Sequence, residues 1–238
     1  MAKYAIPAGD VGLLAHATTV VTNAILEEKG ADAALVMTRG FRDILELRRS
    51  ARPDLYDLFQ DAPATLIPRR NRLEITERVG ADGSVVTPLA EAEIEGLIAD
   101  IRARNVEAIA VSLLFSFLNP AHERRLGEAL RDAFPDKPVY LSSEVLPEIR
   151  AFERTSTTSV CAYVGPILAS YLARLEEAVT GIGLPKIYVM GSNGGVFEAA
   201  EGVAMPAMAG AGSTPDRPSI SAAMRDGTFG LLSTTRCM

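Results

Sequence analysis

The 238-residue sequence predicts an α/β protein of repeated βα units around an inserted β-hairpin. Three observations predict it. Short apolar runs recur at VGLLAH, ADAALVMTR, VEAIAVSLLFSF, KPVYLSS and KIYVMG, the form taken by strands buried on both faces. Segments with the apolar period of a helix separate most of them. The joints are short, and a strand–helix–strand unit with short joints implies a parallel pair.

The elements follow in order. VGLLAH (11–16) is a buried strand, and Thr18 or Thr19 caps the helix TTVVTNAILEEKG, which Gly30 closes. ADAALVMTR (31–39) is the next strand and completes a βαβ unit with the first. The arginine-rich stretch 40–70 has weak periodicity and reads as a short helix and a long loop. RLEITERV and SVVTPL flank Ala81-Asp82-Gly83, and the Asp-Gly pair signals a hairpin. EAEIEGLIADIRARN (91–105) places Ile94, Leu97, Ile98 and Ile101 on one helical face. VEAIAVSLLFSF (106–117) is a long buried strand. Asn119 caps the next helix, with Pro120 in its first turn and Leu126, Leu130 and Phe134 inward. KPVYLSS (137–143) is a strand. A long helix runs from Thr155 to about Thr180, with Pro166 kinking it. KIYVMG (186–191) is a strand, SNGG a tight loop, and VFEAAEGVA the start of a further helix. Residues 1–209 form one domain. The segment 210–238, rich in Gly, Ser, Thr, Pro and Arg, reads as a disordered tail.

Bulk composition excludes several functions. The net charge of −6 disfavours nucleic acid and anionic membrane surfaces as partners. No window approaches the ~20 apolar residues of a membrane span. Two cysteines and two histidines make no metal-ligand spacing and no disulfide framework. Together with an N-terminus unlike a signal peptide, this points to a reducing cytoplasm. P-loop, HExxH and CxxC motifs are absent.

Four constellations carry chemistry. His16, Thr18 and Thr19 lie where a strand ends and a helix begins, the edge at which open parallel sheets bind ligands. They grip a ligand or merely cap a helix. Arg39 and Arg42 follow the second strand and suit a carboxylate or phosphate, or form a surface pair with Asp43. Ser142–Pro166 gathers Glu144, Arg150, Glu153, Arg154 and a hydroxyl run at a helix start. That set is either an acid–base and anion site or an ion-pair knot. Ser192-Asn193-Gly194-Gly195 follows a strand and lets backbone N–H groups approach a ligand, or simply turns the chain. Arg69-Arg70-Asn71-Arg72 reads as a solvated strand end.

The ordered segments HATTVVTNAILEEKGA, LVMTRGFRDILELRR, RPDLYDL, RLEITERVGADGSVVTPL, YLSSEVLPEIRAFERTSTTSVCAYVGP and VMGSNGG resemble the ATP-dependent hydantoinase A/5-oxoprolinase family. That family also holds the β-type subunits of acetone and acetophenone carboxylases. The match spans roughly residues 6–208. It implies a fold related to the actin-like, ribonuclease-H-like ATPases. It implies that ATP with Mg (or Mn) phosphorylates the oxygen of a cyclic amide or ketone, followed by ring opening or carboxylation. A hydantoinase B-type partner subunit and an oligomeric assembly are implied as well. On this resemblance Glu144 or Glu153 is the acid–base group, and Arg39 and Arg154 bind an oxyanion or carboxylate. The lining is completed by His16, Thr18, Thr19, Ser156, Ser192, Asn193, Gly194 and Gly195. Metal-ligating residues are not identified.

The sequence departs from the family pattern. No DxGGTxTD loop precedes the His16 segment, and no GGTS-like loop follows SNGG. Ala17 stands where the family has glycine, and its methyl is expected to tighten the turn. The expectation is a truncated, substrate-side fragment of a hydantoin- or 5-oxoproline-opening enzyme, inactive alone. The alternatives are a non-catalytic relic or assembly subunit, or a subunit of a ketone carboxylase.

Overall fold

The computed structural model describes residues 14–50, 64–184, 187–190 and 196–204, and singly 11, 56, 59 and 206. Its centre is a four-stranded, wholly parallel sheet. The strands are β2 (Ala33–Thr38), β3 (Arg72–Ile75), β6 (Ala108–Ser112) and β7 (Val139–Leu141), in the order β3-β2-β6-β7. Every residue of β2 and β6 is buried, as strands covered on both faces must be. A second sheet has β8 (Ile187–Met190) in the middle. It pairs in parallel with β1 (Leu14–Ala17) and antiparallel with β9 (Val196–Glu198).

Alternation along β2 divides the core. Ala34 and Val36 face α3 (Glu91–Arg104) and α4 (Ala121–Ala133), packing with Ile94, Leu97, Ile101, Leu126, Leu130 and Phe134. Ala33, Leu35 and Met37 face the opposite way, onto Phe152, Cys161 and Ala162 of α6 (Ala151–Gly181). The α6 helix spans 31 residues, about 46 Å. Its other side, through Val160, Tyr163, Val164, Leu168 and Leu172, covers Val189 of the second sheet and α1 (Val20–Leu26). One helix thus serves both sheets. Pro166 lacks the N–H that would bond Ala162 O, which opens the ladder there. Beside the gap, Ala31 N–H donates to Tyr163 O at 2.8 Å. Two glycines admit close crossings. A Cβ on Gly30 would fall within the Tyr163 ring, and one on Gly165 would overlap the Tyr140 hydroxyl.

Five sequence expectations are corrected. β1 does not pair with β2: its partner is β8, so the first strand–helix–strand is not a βαβ unit of one sheet. The seven-residue α1 packs on α6 instead, and the chain crosses to the other sheet. RLEITERV is not one hairpin arm. Its first half is β3, and only β4 (Arg78–Val79) pairs with β5 (Val85–Thr87). The chain turns between them because Glu93 on α3 takes the Thr76 N–H and hydroxyl, at 3.0 and 2.8 Å. The strand after Val106 ends at Ser112, and Phe115 adopts a left-handed φ of 54°. The long helix begins at Ala151, so Glu153 and Arg154 lie in its first turn. Val196–Glu198 is a strand ahead of α7 (Ala199–Ala204), not helix. The 210–238 segment lies outside the described residues.

Candidate functional site

All four strands of the central sheet run the same way, so their C-terminal ends meet at one edge. That edge is knotted by buried polar groups. Glu123, in the first turn of α4, is fully buried. It accepts from Leu113 N–H and Ser143 N–H at 2.8 Å each and from the Ser142 hydroxyl at 2.6 Å. The loop after β6 and the start of α5 (Ser142–Val145) are therefore tied to one carboxylate. Arg154 comes from the opposite side and is 1% exposed. It donates to Ser142 Oγ at 3.1 Å, and to Glu148 O and Leu113 O at 2.9 Å each. Its guanidinium also lies 5.4 Å from the Phe117 ring. Burial pushes the Arg154 pKa down from its ordinary value, and the nearby Glu123 charge opposes that push.

A second buried set stands at the ends of β2 and β3. The Thr38 hydroxyl donates to Glu77 Oε1 and accepts the Leu114 N–H at 3.0 Å. His122 Nδ1 lies 2.8 Å from Glu77 Oε2. The Glu77 side chain is fully enclosed and that of His122 only 13% exposed. Neither Glu77 nor His122 was singled out by spacing or composition. A signal existed for Glu123: it stands three residues before Leu126 and seven before Leu130, on the apolar stripe of α4.

The predicted residues fall into two groups. In the central sheet's group, Glu144 is half exposed and paired with Arg131 at 2.9 Å. Glu153 is buried and paired with Arg49. Ser156 is buried on the same helix, one turn below. Arg39 is exposed and bonds Glu93 at 3.0 Å. The Glu93 carboxyl is held below its usual range, chiefly by the Thr76 N–H and hydroxyl, with Arg39 adding to them. The other group belongs to the second sheet. His16 Nε2 lies 2.6 Å from the Tyr171 hydroxyl on α6. Thr18 Oγ1 accepts Val20 N–H at 3.2 Å, and Thr19 Oγ1 accepts from Asn23 at 3.4 Å. Ala17 is exposed, so its methyl meets open space. Ser192, Asn193, Gly194 and Gly195 lie outside the described residues. The strand before them is informative, because Ala17 pairs with Met190. β1 and β8 therefore end side by side.

Arg154 gives a direct check of the edge. Each of its three donor nitrogens is committed to an internal acceptor. Arg154→Ala is expected to cost about 3 kcal/mol or more, since charge-assisted hydrogen bonds to buried acceptors are lost. Urea denaturation followed by circular dichroism measures this. An unchanged midpoint would show that the fork does not brace the edge. Among the described residues no group of three or more His, Cys, Asp or Glu is placed to hold a metal ion. No helix among them is long and apolar enough to cross a membrane.

Parallel βα units in two sheets sharing one buried helix, with polar groups collected at the strand ends, define an α/β domain related to the actin-like, ribonuclease-H-like ATPases. The chain belongs to the hydantoinase/oxoprolinase family: the model of the hydantoinase/oxoprolinase N-terminal region matches residues 1–134. Caprolactamase subunit alpha of Pseudomonas jessenii is 38% identical over 200 residues, 82% of this chain and 28% of that subunit. 5-Oxoprolinase 1 of Arabidopsis thaliana is 32% identical over 212 residues, 80% of this chain and 16% of that protein. The crystal structure of the ATP-dependent caprolactamase from Pseudomonas jessenii superposes with a TM-score of 0.74 at 37% identity, covering 79% of this chain and 28% of that one. The chain thus spans less than a third of the length of these relatives.

Proposed function

We propose that this chain is the N-terminal-region domain of an ATP-dependent enzyme that opens a small cyclic amide, such as a lactam or cyclic imide, through a phosphorylated intermediate. The observation that carries the proposal is the likeness to the ATP-dependent caprolactamase over most of the chain. In this reading the ligand side is the paired ends of β1 and β8. There His16, Thr18 and Thr19 stand beside the residues that continue into Ser192–Gly195. Backbone N–H groups and hydroxyls at such an edge suit a tetrahedral, negatively charged intermediate. Arg39, Ser156 and Glu144 extend the lining from the central sheet, and Glu144, once it leaves its Arg131 partner, is the exposed carboxylate for acid–base work. Arg154 and Glu153 hold the edge in place. The nucleotide and its divalent ion bind outside the described residues. A B-type subunit completes the assembly, as the subunit name of the caprolactamase relative suggests.

The test is phosphate release from Mg-ATP with caprolactam, 5-oxoproline or hydantoin, by the chain alone and with a B-type subunit. Acetone with bicarbonate serves as the carboxylase arm. Lactam-dependent release that needs the added subunit is expected. Release driven only by ketone and bicarbonate would overturn the amide assignment. Full turnover by the chain alone would overturn its reading as one part of the enzyme.

A further inference from the structure

A cavity opens along the outer edge of the central sheet. It is an open groove of about 1030 Å³ along β3 and α3. Its wall carries Arg39, Arg42, Arg69, Arg70, Arg72 and Arg104. Glu74, Glu93 and Asp100 share this wall, and Asp43 and Glu46 stand against Arg69 and Arg72, which leaves one positive charge in excess on a chain whose net charge is −6. The sequence shows these arginines as three separate patches. The first two patches are drawn together by contacts of the turn after β2, Asp43 with Arg69 and Arg42 O with the Arg72 guanidinium.

Much of this wall is pre-set. Asp43 holds the Arg69 guanidinium by two bonds, at 2.9 and 3.1 Å. Arg104 is fixed by the carbonyls of Arg70 and Asp100. Arg72, whose side chain is fully buried, spends its donors on Ile67 O, Arg42 O and the Thr65 hydroxyl, with Glu46 at 3.3 Å. By contrast, the guanidinium groups of Arg42 and Arg70 make no hydrogen bond or ion pair among the described residues. They are cations on prepared ground.

The floor has a second property. β3 is an edge strand of the central sheet among the described residues. Arg39 N–H bonds Ile75 O, which fixes the ladder so that Leu73 and Ile75 face β2. By the alternation of a parallel ladder, the N–H and C=O of Arg72 and Glu74 face outward, toward a further strand. A strand edge and arginines that have no partner among the described residues match an extended chain bearing carboxylates.

We infer that this groove docks an extended acidic segment of a second polypeptide, which adds to the β3 edge and places carboxylates on Arg42 and Arg70. Charge complementarity and the free edge carry the choice of occupant. Binding at such a site weakens steeply with salt, because the arginines border open solvent. The inference does not rest on the amide-opening reading: its two anchoring cations, Arg42 and Arg70, have no part in that site, and Arg39 alone borders both.

The experiment uses the whole chain and a fluorescein-labelled synthetic peptide of alternating Glu and Val, read by fluorescence anisotropy. Saturable binding that weakens as salt is raised is expected. The double variant Arg42→Ala/Arg70→Ala should bind at least about tenfold more weakly, equivalent to 1.4 kcal/mol. Its melting temperature should be unchanged, because neither guanidinium makes a hydrogen bond or ion pair among the described residues. Arg174→Ala, which removes an exposed charge from α6, should bind as the parent does. Three results would each overturn the proposal: no binding at low salt, equal loss in the Arg174 variant, or tighter binding of single-stranded nucleic acid than of the peptide.

Discussion

Replacing Glu123 by alanine is expected to remove about 3–5 kcal/mol of stability, the cost of breaking a buried charged network by deleting one partner. Glu123 accepts three hydrogen bonds and is fully enclosed. Alanine would leave two buried backbone N–H groups and the Ser142 hydroxyl without their acceptor. Water has no clear path to replace it, because Ser142 and Leu113 are buried as well. Since whole domains have only about 5–15 kcal/mol in hand, partial unfolding at ambient temperature is the expected phenotype. Glu128→Ala, on the exposed face of the same helix, supplies the control and should stay within about 0.5 kcal/mol of the parent. Equal denaturation midpoints for the two variants would show that Glu123 does not tie the strand ends together.

Gly165→Ala is expected to cost about 1–3 kcal/mol, the range for forcing one extra carbon into a packed core. The new Cβ would overlap the Tyr140 hydroxyl and stand 2.8 Å from its ring carbon Cζ. Tyr140 cannot easily withdraw. It lies on the central sheet with its ring against Cys161 and Ala162 of α6, and its hydroxyl donates to Val203 O at 3.3 Å. Burial, its principal cause, raises the phenol pKa well above normal, so the ring stays neutral at any ordinary pH. A double-mutant cycle separates the causes. In a Tyr140→Phe background the overlap with oxygen is gone, so the same Gly165→Ala change should cost less. If the two costs simply add, the clash is not with the Tyr140 hydroxyl.

These two sites show how much the residues announce. The strands, the amphipathic helices and Pro166 inside α6 were legible, because apolar period and capping chemistry are local properties. β1 was placed well, but its partner was not. Pairing to Val189 and Met190 depends on α6 lying between the sheets, and no nearby residue encodes that. The strand after Val106 read as too long. Leu113 and Leu114 are as apolar as the strand itself, and the turn at Phe115 shows only as backbone geometry. For the site, the polar run at Ser142–Pro166 was legible as a place but not as a set of bonds. Arg154 and Glu153 are side chains that sequence cannot distinguish from ligand-facing ones until their partners, Leu113 O, Ser142 and Arg49, are known. Of the groove's arginines, Arg69, Arg70 and Arg72 read as a solvated strand end, and Arg39 and Arg42 as an anion grip or a surface pair. Contacts distant in sequence, Asp43 with Arg69 and Arg42 O with Arg72, gather them.

The pairing of Leu14 with Ile187 has a consequence for the order in which this chain is made. β1 leaves the ribosome well before β8, which emerges only after the central sheet and α6. The central sheet can close early, since its strands follow one another with a helix between most of them. β1 must wait for β8 while the whole stretch between them is made, and closing so long a loop makes that contact slow to form. Its apolar edge is therefore exposed to chance partners for longer than any other strand in the fold. Ligand-facing ends built from β1 and β8 would then be the last part of the domain to exist, completed only when its opposite halves meet.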